Sequence, residues 1–178
     1  LNTYGLALGI QNRWEVSLAR QSFDTGITGP GLGIPGLQLT QDILGTKWRV
    51  AGDAVLDSDH WQPQIAVGAE FKSLQSSGLD GTLSVLGAKK NGTDLYVSAT
   101  KLFLAQGILV NGTLRATNAN QNGLLGFGGT LGGSRDQYQL MPELSVVWLA
   151  NRNLAFGMEY RRMPNNLQDP GAAAGLGD

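Results

Sequence analysis

The amino-acid sequence predicts an antiparallel all-β fold, and three observations carry that prediction. Apolar and polar residues alternate along segments of about ten residues, which is the pattern of strands with two different faces. Gly, Pro, Asn and Asp gather between those segments, as they do in tight turns. Apolar residues do not recur at helical spacing over three turns, so no helix is expected. The 178 residues suffice for one domain, expected over 1–163 and followed by a coil tail over 164–178.

Consecutive hairpins organise the predicted strands, of which there are about nine or ten. The turn of the first hairpin is expected at Asn12 and Arg13, and that of the second over 56–62. Two later hairpins are expected to turn over 105–107 and 151–153. The strands are predicted at 4–11, 14–19, 43–55, 64–72, 82–88, 93–104, 108–118, 124–131, 138–149 and 154–162, with loops at 25–36, 76–81 and 132–136.

The two faces of these strands differ in a way that bears on their surroundings. One face carries aromatic and branched apolar residues, and the other carries mostly Gly, Ala, Ser and Thr. A soluble barrel would point the apolar face inward and cover its outside with Lys and Glu, but only 15% of the chain is charged. In a membrane barrel the apolar face meets lipid and small or polar groups line the lumen. The predicted lumen-lining charges are Glu15, Lys47, Arg49, Asp53, Glu70, Lys72, Arg115, Glu143, Glu159 and Arg161.

Strand length and aromatic placement favour the same orientation. Strands of about nine to eleven residues match a tilted crossing of the hydrocarbon core. Aromatic residues near strand ends suit the girdles at the two membrane interfaces. The prediction is therefore an antiparallel up-and-down transmembrane β-barrel, with a soluble sandwich or barrel as the alternative. Within it, Arg49 is expected to face Glu70 across the second hairpin and to pair with it inside the lumen.

Residues for catalysis or cofactor binding are sparse. The chain has no cysteine, and its one histidine, His60, lies in a predicted turn beside Asp57 and Asp59. We interpret that turn as solvated rather than metal-binding, since it lacks the Gly and distal Glu of a calcium loop. The glycine-rich segment 126–133 lacks the Lys-Ser/Thr of a phosphate-binding loop. No catalytic, cofactor or metal site is predicted, and a net charge of -1 gives no reason to expect nucleic acid.

Three segments resemble a known family. RVAGDAVLDSDHWQPQIAVGAEFK, GTDLYVSATKLFLAQGILVNGTLRATNANQNGLLGFGG and NLAFGMEYRRMPNNL are similar to an uncharacterised family of proteobacterial proteins, predicted outer-membrane β-barrels catalogued as a domain of unknown function. The resemblance extends over residues 14–167. It implies a β-barrel of the bacterial outer membrane and no reaction. Members of that family are longer at both ends, so we expect this chain to be incomplete.

Three hypotheses for function follow. The first is a structural or narrow-pore transport barrel without chemistry or cofactor, whose partners are the lipid bilayer and either further copies of itself or a larger envelope complex. The second is a non-enzymatic scaffold subunit packed in such a complex. The third is a barrel-embedded hydrolase. It would need a serine, a base and an acid to converge, and His60 in a turn is a poor base.

Overall fold

The fold is one antiparallel β-sheet of eight strands, paired in sequence order and curled into half a barrel. It is known from a computed structural model that describes residues 2–24, 26, 36–57, 59–75, 78, 80–85, 87–129 and 137–164. Among the described residues, one short α-helix, α1, accompanies the sheet, although the sequence indicated no helix. The elements are β1 (Asn2–Ile10), β2 (Trp14–Asp24), β3 (Gln38–Ala51), β4 (Gln64–Leu74), α1 (Asp80–Val85), β5 (Asn91–Phe103), β6 (Ile108–Thr117), β7 (Gln139–Asn151) and β8 (Leu154–Arg161).

The predicted antiparallel, up-and-down order is confirmed, and so are the predicted hairpins β1–β2, β5–β6 and β7–β8. The first turn has three residues rather than two, because Ile10 faces Trp14 in the register. Gln11 and Asn12 both have positive φ there, and the Arg13 N–H donates to the Ile10 carbonyl at 3.1 Å. Paired positive φ values give a turn whose twist matches that of the flanking strands.

The β3–β4 register differs from the prediction. Arg49 lies opposite Ala66, and Glu70 lies opposite Gly45, so the predicted Arg49–Glu70 pair is wrong. The reason is the connection over 52–63, which is longer than the predicted turn, together with a β-bulge between Arg49 and Ala51. Both changes move β4 along β3 relative to a tight hairpin.

Two predicted strands are absent from the described residues, which form eight strands rather than nine or ten. The segment predicted as a strand over 82–88 instead contains the end of α1, because Leu83 packs its side chain on the sheet. In the segment predicted over 124–131, the described residues 124–129 contribute only isolated bridges, at Phe127. The predicted loop 132–136, most of the loop 25–36 and the tail beyond Pro164 lie outside the described residues.

The connections define two ends of the sheet. At one end, here the turn end, the strands are joined over 11–13, 52–63, 104–107 and 152–153. At the other, here the loop end, they are joined by the longer connections 25–37, 75–90 and 118–138. The loop end therefore has more chain available to fold over the sheet.

The two faces of the sheet separate apolar from charged side chains. The outer face is defined here as the face that carries Trp14, Val16, Trp48, Val50 and the residues in phase with them. Its large apolar side chains are exposed: Trp14 is 47% and Trp48 39% accessible. Trp14 stacks on Trp48 with ring centroids 5.6 Å apart. The alternate positions form the inner face, whose small apolar core at the loop end contains Leu39, Leu74 and Leu83. The large apolar residues of the outer face are thus not packed in a core.

The sheet has two edge strands, β1 and β8, and among the described residues these are not paired with each other. β1 is exposed along its whole length on both faces, and β8 is exposed except at Arg161. In the described part of the chain, no helix combines the length and the apolar character needed to cross a bilayer.

Candidate functional site on the inner face

The inner face gathers the charged residues that the sequence singled out. Nine of the ten lie at inner positions of β2, β3, β4, β6, β7 and β8, and the tenth, Asp53, follows β3 in the turn. Alternation along each strand places them there, because successive side chains point to opposite faces. The nine are Glu15, Lys47, Arg49, Glu70, Lys72, Arg115, Glu143, Glu159 and Arg161.

Arg115 on β6 is the centre of the site. Its Nε lies 2.6 Å from Glu143 on β7, and its Nη1 lies 2.8 Å from Glu70 on β4 and 3.5 Å from Asp94 on β5. The guanidinium also stands 5.0 Å from the centre of the Tyr96 ring. One side chain thereby links four neighbouring strands, and its contact with β4 passes over β5. The planar, multiply donating guanidinium suits this geometry better than an ammonium would.

Lys72 and Asp94 form the most deeply buried pair. Lys72 Nζ donates to Asp94 at 2.7 Å, and both side chains are 1% exposed. Lys72 also approaches Glu70 at 3.2 Å and donates to the Asn122 side chain at 2.8 Å. The Thr117 hydroxyl donates to the other Asp94 oxygen. Burial of these charges is tolerable only because each has several partners.

The salt bridges around Arg115 join into one network, here the Arg115 network. Its buried part is electrically neutral, and Glu159 adds one negative charge at its exposed rim. Arg161 Nε lies 3.1 Å from Glu143 and 4.0 Å from the more exposed Glu159. Three cations, Lys72, Arg115 and Arg161, thus meet three buried or half-buried acids, Glu70, Asp94 and Glu143, and Glu159 adds one further acid at the rim. The three cations and the three less exposed acids compensate one another, so the buried part of the site offers no strong field to an ion.

At the turn end the charges form separate pairs instead. Lys47 lies 2.8 Å from Glu15, and Arg49 pairs with Asp53. The backbone N–H groups of Leu56 and Val55, at 2.9 and 3.0 Å, act with Arg49 to hold the pKa of Asp53 below its usual range. Among the described residues, no salt bridge connects these pairs to the Arg115 network.

Residues 118–129, here the inner segment, cover the network at the loop end. The segment folds back on itself: Asn120 N–H donates to the Gly126 carbonyl, and Gly128 N–H donates to the Asn118 carbonyl. Phe127 exchanges backbone hydrogen bonds with Lys89 at 2.8 and 2.9 Å, and its side chain is fully buried. Its ring lies so close to Gly92 that a Cβ there would overlap it. Gly92 thus makes room for Phe127.

Sequence reasoning missed several members of this site. Asp94 and Tyr96 lie within the alternating segment TDLYV, in phase with the inner positions of β5, so the alternation alone could have identified them. Gln41 donates to the Asn122 carbonyl at 3.2 Å, and that contact depends on how the inner segment folds. Gln121 and Asn122 have positive φ, and no local pattern in the sequence indicates that backbone course.

The turn that contains His60 is interpreted from the sequence as solvated rather than metal-binding. His60 is exposed and lies 3.1 Å from Asp59. Among the described residues, no cluster of three His, Asp or Glu side chains is placed to hold a metal ion. What the inner face can do is line a space with polar, mutually neutralised groups.

Comparison with known proteins gives one match. Searches of curated proteins and of solved structures each returned no match. The family described as a protein of unknown function, DUF3034, matches residues 1–174, which include every strand of the sheet and all residues of the charged network. Since the match covers nearly the whole chain, this protein belongs to the DUF3034 family.

Proposed function

We propose that this chain forms the wall of a bacterial outer-membrane β-barrel. The barrel is of structural or narrow-pore transport type and has no chemistry of its own. The observation that supports this proposal is the arrangement of the two faces of the sheet, which is the reverse of that in a soluble barrel. Large apolar side chains are exposed on the outer face of all eight strands, while charged side chains are buried on the inner face. Outer-membrane barrels have this arrangement, and soluble barrels have the reverse.

The extent of the outer face supports lipid as its surroundings. Contiguous exposed apolar patches on soluble monomers rarely exceed a few hundred Å². On β1 the apolar side chains run from Tyr4 to Ile10, which is about 20 Å along the strand at 3.3 Å per residue. On β7 they run from Leu140 to Trp148, which is about 26 Å by the same rule. A transmembrane strand has about 9–11 residues at a tilt of about 45°, and the run from Leu140 to Trp148 on β7 is of that length.

Aromatic pairs add a second argument. Trp14 stacks on Trp48, and Trp148 stacks on Phe156 with centroids 6.0 Å apart. All four lie on the outer face near the turn end, within three residues of the end of their strands. Aromatic side chains gather at such a level because they are stable at the boundary between hydrocarbon and water.

A narrow lumen is the corresponding proposal for the inner face. The Arg115 network and the inner segment fill the loop end with neutralised charges and a buried Phe127. A solute that passes would be small and uncharged, since the network pairs its charges with one another. If this filling is complete in the membrane, the barrel is structural and does not conduct.

The test is fluorescence quenching after reconstitution into phosphatidylcholine vesicles with brominated acyl chains. With Trp61, which lies in the turn, replaced by Phe, the remaining tryptophans Trp14, Trp48 and Trp148 should be strongly quenched. A variant that keeps only Trp61 is the control and should be quenched less. Equal, weak quenching in both would contradict the membrane proposal. Planar-bilayer conductance of the same protein then separates the transport type from the structural type.

A scaffold role is the second candidate, and the sheet edges favour it. β1 and β8 are exposed on both faces, and exposed edges readily pair with other strands. A protein that is silent in bilayers and copurifies in fixed proportion with one envelope protein would support this candidate. Measured conductance by the chain alone would contradict it.

A further inference from the structure

An ion pair interrupts the apolar outer face at the loop end of β2 and β3. Arg20 and Asp42 face each other across these strands, and the guanidinium donates to both carboxylate oxygens at 2.6 and 2.8 Å. Toward the turn end, the next outer residues are Leu18 and Leu44, which are exposed. Toward the loop end, the next outer pair is polar, since Ser22 faces Thr40. The ion pair therefore stands at the boundary of the apolar band.

A groove on the outer face opens beside this ion pair. Its volume is about 900 Å³, within the range of sites that hold small molecules. The apolar part of the groove is formed by side chains from β1 to β4, and its polar end by the ion pair. The apolar side chains are Tyr4, Leu6, Leu18, Leu44 and Phe71.

We propose that this groove binds a zwitterionic phospholipid, one with a phosphate and a primary ammonium group in its head; the inference rests on the proposed membrane location. One acyl chain would lie along Leu6, Leu18 and Leu44. The phosphate would accept hydrogen bonds from the Nη1 group of Arg20, which carries two further N–H donors. The ammonium group would donate to Asp42, whose carboxylate has remaining acceptor positions.

Charge complementarity selects this head group. The Arg20–Asp42 pair carries both signs and no net charge, so an anionic head gains from Arg20 what it loses to Asp42. A head group with both signs gains from both. Position selects a lipid over a soluble ligand, because charges on a lipid-facing strand cost little only near the interface, where lipid head groups lie.

The experiment titrates short-chain dihexanoyl phosphatidylethanolamine into the full chain, held in a non-ionic detergent, by calorimetry. Dihexanoyl phosphatidylglycerol tests the anionic head, and inorganic phosphate tests a free anion. The variant R20Q/D42N removes both charges together, so that neither is left unpaired. The matched control is E15Q/K47Q, an ion pair on the inner face of the same two strands. Circular dichroism verifies that both variants fold.

Saturable binding of the ethanolamine lipid is expected, with R20Q/D42N weaker by about tenfold or more, because charge-assisted hydrogen bonds are lost. E15Q/K47Q should bind like the wild type. Equal binding of the glycerol lipid, equal binding by R20Q/D42N, or binding of phosphate alone would overturn the proposal. So would a dimer that forms with concentration and excludes the lipid, which would assign the groove to a second copy.

The outcome is separable from that of the membrane proposal. Strong quenching by brominated chains without selective binding would leave the barrel intact and end the groove proposal. Selective binding in detergent without quenching in vesicles would support the groove proposal and contradict the membrane proposal.

Discussion

The two ends of the inner face carry the same kinds of side chain in different settings. At the loop end, Lys72 and Asp94 are each 1% exposed and share their partners with a wider network. At the turn end, Lys47 and Glu15 form one pair and are 35% and 41% exposed. Both pairs have nearly the same separation, 2.7 and 2.8 Å. Distance therefore does not distinguish them.

The difference lies in what covers the charges. The inner segment covers the loop end, so the charges there have lost water and depend on their partners. Charges at the turn end keep part of their hydration, which can replace a lost partner. The inner segment therefore makes one end of the face sensitive to substitution and leaves the other tolerant.

The largest effect is expected from breaking the Lys72–Asp94 pair. K72M leaves Asp94 and Glu70 with less positive charge, and D94L leaves Lys72 and Arg115 with less negative charge. Each should destabilise the protein by about 3–5 kcal/mol, the usual cost of an uncompensated buried charge. Urea unfolding in detergent micelles, followed by tryptophan fluorescence, measures the change.

The double variant K72M/D94L sharpens this test because it restores neutrality. Its loss of stability should be clearly smaller than the sum of the two single losses. E15Q is the control at the turn end and should cost at most about 1 kcal/mol. Equal losses of unfolding free energy at the two ends would contradict a protective role for the inner segment.

The next largest effect on stability is expected from a substitution in the inner segment itself. F127A removes a fully buried ring from the inner segment and should cost about 3–4 kcal/mol in unfolding free energy, through lost burial and the cavity left behind. The loosened segment should also let water reach Lys72, seen as faster amide hydrogen exchange in β4 and β5. The control is F103A, which removes an exposed ring on the outer face. A similar increase in exchange in F103A would contradict a specific role for the cover.

This contrast also explains how much could be predicted from sequence. Alternation along strands indicated the sheet, its order and the face of nine of the ten predicted charges, because a period of two determines which way a side chain points. The exception, Asp53, lies in the turn after β3. It could not give the β3–β4 register, which depends on the bulge beside Arg49. Nor could it give the burial of Lys72, because Asn122 and Phe127 reach the sheet through positive-φ turns and long-range packing. The face to which a side chain points is a local property of its strand, whereas its burial depends on distant parts of the chain.

A smaller effect is expected when the Phe127 ring of the inner segment is displaced rather than removed. G92A adds a methyl group that overlaps the Phe127 ring, and overpacking of this kind should cost about 1–3 kcal/mol in unfolding free energy. G112A on the neighbouring strand β6 is the matched control, since a Cβ there meets no atom within 4 Å. Urea unfolding compares the two. The idea that Phe127 requires Gly92 fails if G92A is as stable as G112A.

The smallest effect belongs to the turn end and depends on pH. Backbone N–H groups of Leu56 and Val55, together with Arg49, lower the pKa of Asp53. A carboxylate with a lowered pKa contributes stability above its unfolded value and loses it as the pH falls through the folded value. D53N should therefore lower the thermal midpoint slightly at pH 7, and the difference from wild type should shrink below about pH 4. D57N removes a charge from the same turn and is the control. A D53N deficit that is equally large at pH 7 and pH 3 would show that the ionised carboxylate is not what stabilises the turn.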